Sequence, residues 1–153
     1  MMPTRSILLL LFLLTPPAHA QESLGESFQT DVLVIVARDA CYRFDIYLAV
    51  SPQQQQRGLM FVRELPEWTG MLFVYGGERY RSMWMKNTYI SLDMVFARRD
   101  GSVTNIVEGT VPLSEESVTS SEPATFVLEL NAGTTRRLSI DEDSRLVWEP
   151  AME

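Results

Sequence analysis

Hydrophobic and polar positions alternate with a period of two along much of this 153-residue chain, the pattern of strands with one face against a core. Over residues 41–50, Tyr42, Phe44, Ile46, Leu48 and Val50 point one way, and Cys41, Arg43, Asp45 and Tyr47 the other. That spacing predicts a half-buried antiparallel strand. Over residues 89–97, Ile90, Leu92, Met94 and Phe96 face inward, while Ser91, Asp93 and Val95 face away. Residues 32–36 form an unbroken apolar run, which predicts a strand buried on both faces. Further strands are expected at 71–75, 81–88 (with a bend at Asn87-Thr88), 103–107, 126–131 and 145–148.

Turn chemistry punctuates these runs. Asp100-Gly101 predicts a hairpin, and Gly76-Gly77 a turn. Ser51-Pro52-Gln53-Gln54 has the order of a capped helix start: serine at the cap, proline in the first turn, and a glutamine placed to close a capping box. Gly58 is positioned to stop that helix. Residues 133–138 suit one helical turn, 64–70 an irregular connection through Pro66, 113–123 a mobile surface loop, and 21–29 a flexible polar lead-in. No internal repeat is present. The sum is a mainly β domain, a small antiparallel barrel or sandwich with one or two short helices.

The first twenty residues change the picture. Arg5, the apolar run 7–14, Pro16-Pro17 and Ala18-His19-Ala20 have the form of a cleaved signal peptide. The run is short of the roughly 20 residues a membrane span needs, which counts against an uncleaved anchor. No cysteine follows it closely, which counts against a lipid anchor. The expectation is an exported protein, periplasmic or secreted, beginning near Gln21. The remaining 133 residues suffice for one domain and one core.

Cleavage removes His19, the only histidine, and with it His-based zinc sites, Ser-His-Asp triads and Cys-His pairs. Cys41 is the single cysteine, so no internal disulfide can form; it is a free thiol, a link between chains, or simply a small strand residue. Net charge is −7, or −8 without Arg5, and there is no basic patch, so nucleic acid and anionic membranes are not expected partners. No cofactor is expected.

Residues 57–93 carry the chain's densest signature: Arg57-Gly58-Leu59-Met60, Gly70-Met71-Leu72-Phe73, Trp84-Met85-Lys86-Asn87-Thr88 and Leu92-Asp93, followed later by Val127-Leu128-Glu129-Leu130-Asn131-Ala132-Gly133. In this order the blocks resemble the family called domain of unknown function 192, over about residues 28–148. The resemblance implies a compact β-rich domain, usually exported or membrane-tethered, with no established activity. The chain departs from it at Ser91, where the family usually has proline, which would loosen the bend at 88–91. It departs again at Asp141-Glu142-Asp143, which replaces a Gly-Asp turn.

Within these blocks Lys86 is the only lysine; the other 12 cations are arginines. A lysine amine is a compact charge whose pKa can fall on burial, so it could hold an anion or act as acid or base. Equally, it could pair with Asp93 or Glu129 to fasten neighbouring strands. Asp93 and Glu129 are candidate acid and base, should adjacent strands bring them together, or else solvated carboxylates. Arg57 and Arg63 flank a turn and suit an oxyanion. With Trp84 as apolar wall and Lys86, Asn87 and Asp93, they form the leading candidate set for a small anionic or polar ligand. A histidine-free hydrolase or lyase using Asp93 and Glu129, and a structural or partner-binding envelope protein, are the alternatives. Met60, Met83 and Met85 admit a minor Cu(I) reading, against the ordinary use of methionine as core filler.

Overall fold

The computed structural model describes residues 24–149; the signal-peptide reading of residues 1–20 lies outside them. The elements run α1 (Leu24–Ser27), β1 (Gln29–Val36), β2 (Cys41–Ala49), α2 (Pro52–Arg57), β3 (Thr69–Arg79), β4 (Ser82–Met83), β5 (Leu92–Ala97), β6 (Val103–Val107), β7 (Val118–Thr119), β8 (Ala124–Asn131), α3 (Thr134–Arg137) and β9 (Arg145–Val147). Seven strands form one sheet in the order β6-β5-β8-β3-β2-β1-β9, and β4 pairs with β7 separately. All neighbours are antiparallel except β2 and β3. A bridge between Ser102 and Arg145 brings the two sheet edges together. There the Leu146 amide donates to the Gly101 carbonyl at 2.8 Å. The fold is a nearly closed β-barrel with three short helices.

Closure gives the sheet an inside and an outside, and both are apolar. The interior holds Leu33, Ile35, Phe44, Ile46, Leu72, Val95, Leu128 and Leu130, with Leu138 and Ile140 beside α3 sealing one end. A second cluster lies on the outer face of β3, β8 and β5, where Met71, Phe73, Met94, Phe96 and Val127 meet Leu59, Val62, Leu65, Met83 and Met85 from the covering segments. β5, most of β8 and the first half of β3 are therefore buried on both sides. Every residue of β5 is buried, although its sequence alternates.

The structure corrects several expectations. The 32–36 run belongs to β1, near the sheet edge, and only its inner face is buried: Leu33 and Ile35 are enclosed while Val32 and Val36 are exposed. The lead-in is ordered from Leu24, with a helical turn and a buried Phe28 ahead of β1. β3 continues through Gly76-Gly77 with a register shift instead of turning there. The strand expected over 81–88 shrinks to β4, because Trp84 to Thr88 turn away to cover the outer cluster. Within 113–123, β7 is tied down against β4, with the Ser120 amide donating to the Arg81 carbonyl at 2.9 Å. The capped helix, the 100–101 hairpin, β8, the turn at α3 and the closing strand form as the sequence predicts. Cys41, the first residue of β2, is an exposed free thiol.

Candidate functional site

Beside the outer cluster lies α2, and the start of that helix is fully specified. Ser51 accepts a hydrogen bond from the Gln54 amide at 3.2 Å, and the Gln54 side chain accepts from the Ser51 and Val50 amides at 3.0 and 3.1 Å. Pro52 occupies the first turn. Gln54 also donates to the Ser27 carbonyl, and Gln55 donates to the Val74 carbonyl at 2.8 Å, which moors the helix to the sheet. Gln53, Gln56, Arg57 and Met60 recur at helical spacing on the remaining face. Gly58 ends the helix at φ +47°, and a Cβ there would lie 3.1 Å from the Phe73 ring. Only glycine suits both the backbone sign and the close approach.

The facing wall is the segment 84–88. The Thr88 amide donates to the Met85 carbonyl at 3.0 Å, which closes a β-turn with Lys86 and Asn87 at its corners. Asn87 sits at φ +55°, the left-handed position that such turns reserve for Gly or Asn. The turn leaves Met85 and Thr88 buried and Trp84 exposed. Lys86 Nζ lies 5.2 Å from the centroid of the Trp84 ring and 3.8 Å from Glu115, in an exposed pair worth little in water. The expected fastening of Lys86 to Asp93 or Glu129 is absent among the described residues.

Between these walls is a cleft of about 400 Å³ lined by Gln53, Gln56, Arg57, Met60, Phe61, Trp84, Lys86 and Asn87. Four predicted site residues therefore converge: Arg57, Trp84, Lys86 and Asn87. Arg63 does not line the cleft. It lies over the Tyr89 ring at 5.0 Å, and Tyr89 in turn meets Phe61 edge-on, so Arg63 belongs to the outer rim.

Adjoining the cleft is a narrower space of about 20 Å³, a throat that shares Gln56, Arg57, Met60 and Trp84 with it and is lined also by Glu129. That volume accommodates about one water-sized group. Glu129 is only 4% exposed and shares its sheet face with Met71 and Met94, its partners across β3 and β5. Burial alone pushes its carboxyl up to about 8, because desolvation penalises the charged form.

Asp93 and Glu129 are not brought together. Asp93 pairs in register with Leu130, whose side chain belongs to the barrel interior, and Glu129 pairs with Met94 on the outer face. The two carboxyls thus project from opposite sides of the sheet. Asp93 is fully buried and accepts four hydrogen bonds: from the Gly109, Gly133 and Thr135 amides at 2.9, 3.1 and 3.0 Å, and from the Thr135 hydroxyl at 2.8 Å. It ties three chain segments together. Nor do the methionines behave alike. Met83 and Met85 are in the outer cluster, where the Met83 sulfur accepts from the Tyr75 hydroxyl at 3.5 Å, while Met60 lines the cleft. Ser91 does not loosen its bend: its hydroxyl donates to the Thr110 carbonyl at 2.7 Å and its carbonyl accepts from the Ala132 amide. The Asp141-Glu142-Asp143 segment forms a self-bonded turn through Ser144.

Three lining residues escaped the sequence reading. Gln53 and Gln56 were hidden in a run of four glutamines, and only the spacing of three and four residues among positions 53, 56, 57 and 60 could have singled them out. Phe61 carried no signal, since its outward projection follows from a left-handed backbone at φ +67°.

The family model DUF192, described as an uncharacterized ACR, matches residues 34–148. A crystal structure from Sinorhizobium meliloti 1021, provisionally described as a transcription regulator, is 40% identical. It superposes with a TM-score of 0.77 over 78% of this chain and 94% of that one. A protein of unknown function from Novosphingobium aromaticivorans DSM 12444 is 32% identical, with a TM-score of 0.77 over 79% of this chain and 86% of that one. No curated protein matches the chain.

Proposed function

The chain belongs to the DUF192 family, and from that premise we propose that it is a binding module for a small anionic or polar ligand, held in the cleft between α2 and the 84–88 turn. The observation that carries this reading is the convergence of Arg57 and Lys86, the chain's only lysine, with the exposed Trp84 and the amides of Gln53, Gln56 and Asn87 in one concavity. In a chain of net charge −7 this is a local concentration of donors and cations, with Glu115 beside Lys86 as an exposed counter-charge. Apolar Met60, Phe61 and Trp84 would shield the ligand body while the polar groups fix its orientation. At about 400 Å³ the cleft is at the lower end of small-molecule sites.

The hydrolase or lyase built on an Asp93–Glu129 pair loses its geometric basis, since the two carboxyls face opposite sides of the sheet. We place the module outside the cytoplasm on the strength of residues 1–20, and we favour a small ligand over nucleic acid because of the acidic balance.

A thermal-shift panel of phosphate, sulfate, carboxylates and sugars tests the proposal. A ligand at 100 times its dissociation constant stabilises by about 2.7 kcal/mol, which is several degrees in a domain of this size. Lys86→Met should abolish the shift while leaving the melting temperature of the free protein within about a degree, because its ion pair is exposed. A flat panel, or a shift indifferent to Lys86→Met, would overturn the reading.

A further inference from the structure

Among the described residues Glu129 makes no hydrogen bond or ion pair through its carboxyl. It sits mid-strand in β8, where an apolar residue would complete the outer cluster, and nothing about the sheet requires it. The groups packed around it are mostly apolar: Met71 and Phe73 from β3, Val127 on its own strand, Met94 from β5, Met83 from β4, and Leu59 after α2. The polar and charged groups nearby are few. Tyr75 on β3 directs its hydroxyl to Met83, and Arg81 lies over the Tyr75 ring at 4.0 Å. Arg57 and Thr88 line the throat, and Asp93 on β5 faces away. The carboxyl lines the throat, which shares Gln56, Arg57, Met60 and Trp84 with the cleft that Lys86 also lines.

We propose that Glu129, in its acid form, is the hydrogen-bond donor at the floor of the cleft, and that the ligand is a small carboxylate with a second acceptor oxygen able to enter the throat. This rests on the ligand-binding reading above and adds the ligand's class and a proton requirement. The cations at the mouth select the negative head. The throat admits a single group of about one heavy atom, and a neutral carboxylic acid offers that group one O–H donor. A carboxylate at the same place would instead present only acceptors and a like charge, so the site works while Glu129 keeps its proton. The carboxyl's ordinary value would leave it ionised at neutral pH; burial keeps it protonated up to about pH 8.

The test measures affinities by titration calorimetry from pH 6.5 to 9.5. The probes are D-glucuronate and acetylglycine, with D-glucose and acetylglycinamide as uncharged counterparts. At least one carboxylate should bind, its counterpart should not, and affinity should fall about tenfold or more as pH rises through 8, because the O–H donor is lost and a like charge appears beside the ligand. Glu129→Gln, which keeps a donor that cannot ionise, should flatten the pH profile. Glu129→Leu should bind weakly at every pH. Binding that is lost in Lys86→Met but flat with pH and unchanged in Glu129→Leu overturns the role of Glu129 and leaves the cleft standing. Failure of every probe at every pH overturns both.

Discussion

Replacing Glu129 by glutamine should make the protein more stable, and increasingly so as pH rises. The unfolded chain holds this carboxyl at its ordinary value of 4.5, and the folded protein holds it at about 8. Between those values the folded state binds the extra proton, so folding is favoured at low pH and each pH unit upward removes about 1.4 kcal/mol. Stability from this group is therefore fully present below about pH 4.5 and is lost progressively up to about pH 8. The total is roughly 4–5 kcal/mol, of which about 3 is already gone at pH 7. Glutamine has nearly the same volume and no titration, so the difference between variant and wild type isolates this one group while the other carboxylates cancel. Urea denaturation followed by tryptophan fluorescence at pH 5, 6, 7 and 8 gives that difference directly. Its slope is the diagnostic, because any fixed cost of burying an amide only offsets the line. A difference constant across pH would mean that Glu129 remains ionised in the folded protein, and the argument from its burial would fail.

Asp93→Ala removes the acceptor of three backbone amides and the Thr135 hydroxyl. At about 1–3 kcal/mol for each buried donor left unmet, the loss should exceed about 3 kcal/mol and lower the melting temperature by about ten degrees. A loss under about 1 kcal/mol in thermal or chemical denaturation would refute its role as the tie between three segments. Gly70→Ala should destabilise by about 1–3 kcal/mol, since the added methyl would lie 2.8 Å from the Glu129 carbonyl and 2.9 Å from Leu130. Unfolding measurements showing no change would mean that β3 and β8 can part there at no cost.

Local chemistry was legible in the sequence wherever neighbours in the chain decide the outcome. The Ser51–Gln54 cap, the Gly58 stop and the Asp100-Gly101 hairpin follow from residues a few positions apart. Alternation also found the strands, but it could not say what lies on the second face. β5 alternates as though half-exposed, yet the covering segments bury both its sides, and so Asp93 appeared to be a surface carboxylate. Conversely the apolar 32–36 run lies near an edge with solvent on one side. The same limit governs the site. Trp84, Lys86 and Asn87 could be grouped because one turn holds them, and Arg57 because its motif was distinctive. That Asp93 and Glu129 diverge depends on the register between β5 and β8, which neither strand encodes alone.

The distribution of costs through the molecule distinguishes the cleft from the rest of the fold. Among the described residues four non-glycine residues have positive φ, and Ser139 merely follows α3. The other three, Phe61, Asn87 and Leu113, are linked: the Phe61 amide donates to the Asn87 carbonyl at 2.8 Å, and the Leu113 amide to the Thr88 carbonyl at 3.0 Å. For bulky residues such as Phe61 and Leu113 this conformation costs on the order of 1–3 kcal/mol, and it persists only where the surroundings over-determine it. A fold concerned with stability alone would place glycine there and an apolar residue at 129. Asp93 marks the contrast, for on its side of the sheet the buried carboxyl has four hydrogen bonds. Strain, an unmatched buried carboxyl and exposed aromatic surface coincide on the other side, around the concavity where Arg57 and Lys86 converge. A rim fixed in an unfavourable conformation is pre-organised, so a ligand meeting it need not order the chain. The stability lost at this edge is thus set where binding would recover it, and the frame held by Asp93, Gly58 and Gly70 keeps the edge in place.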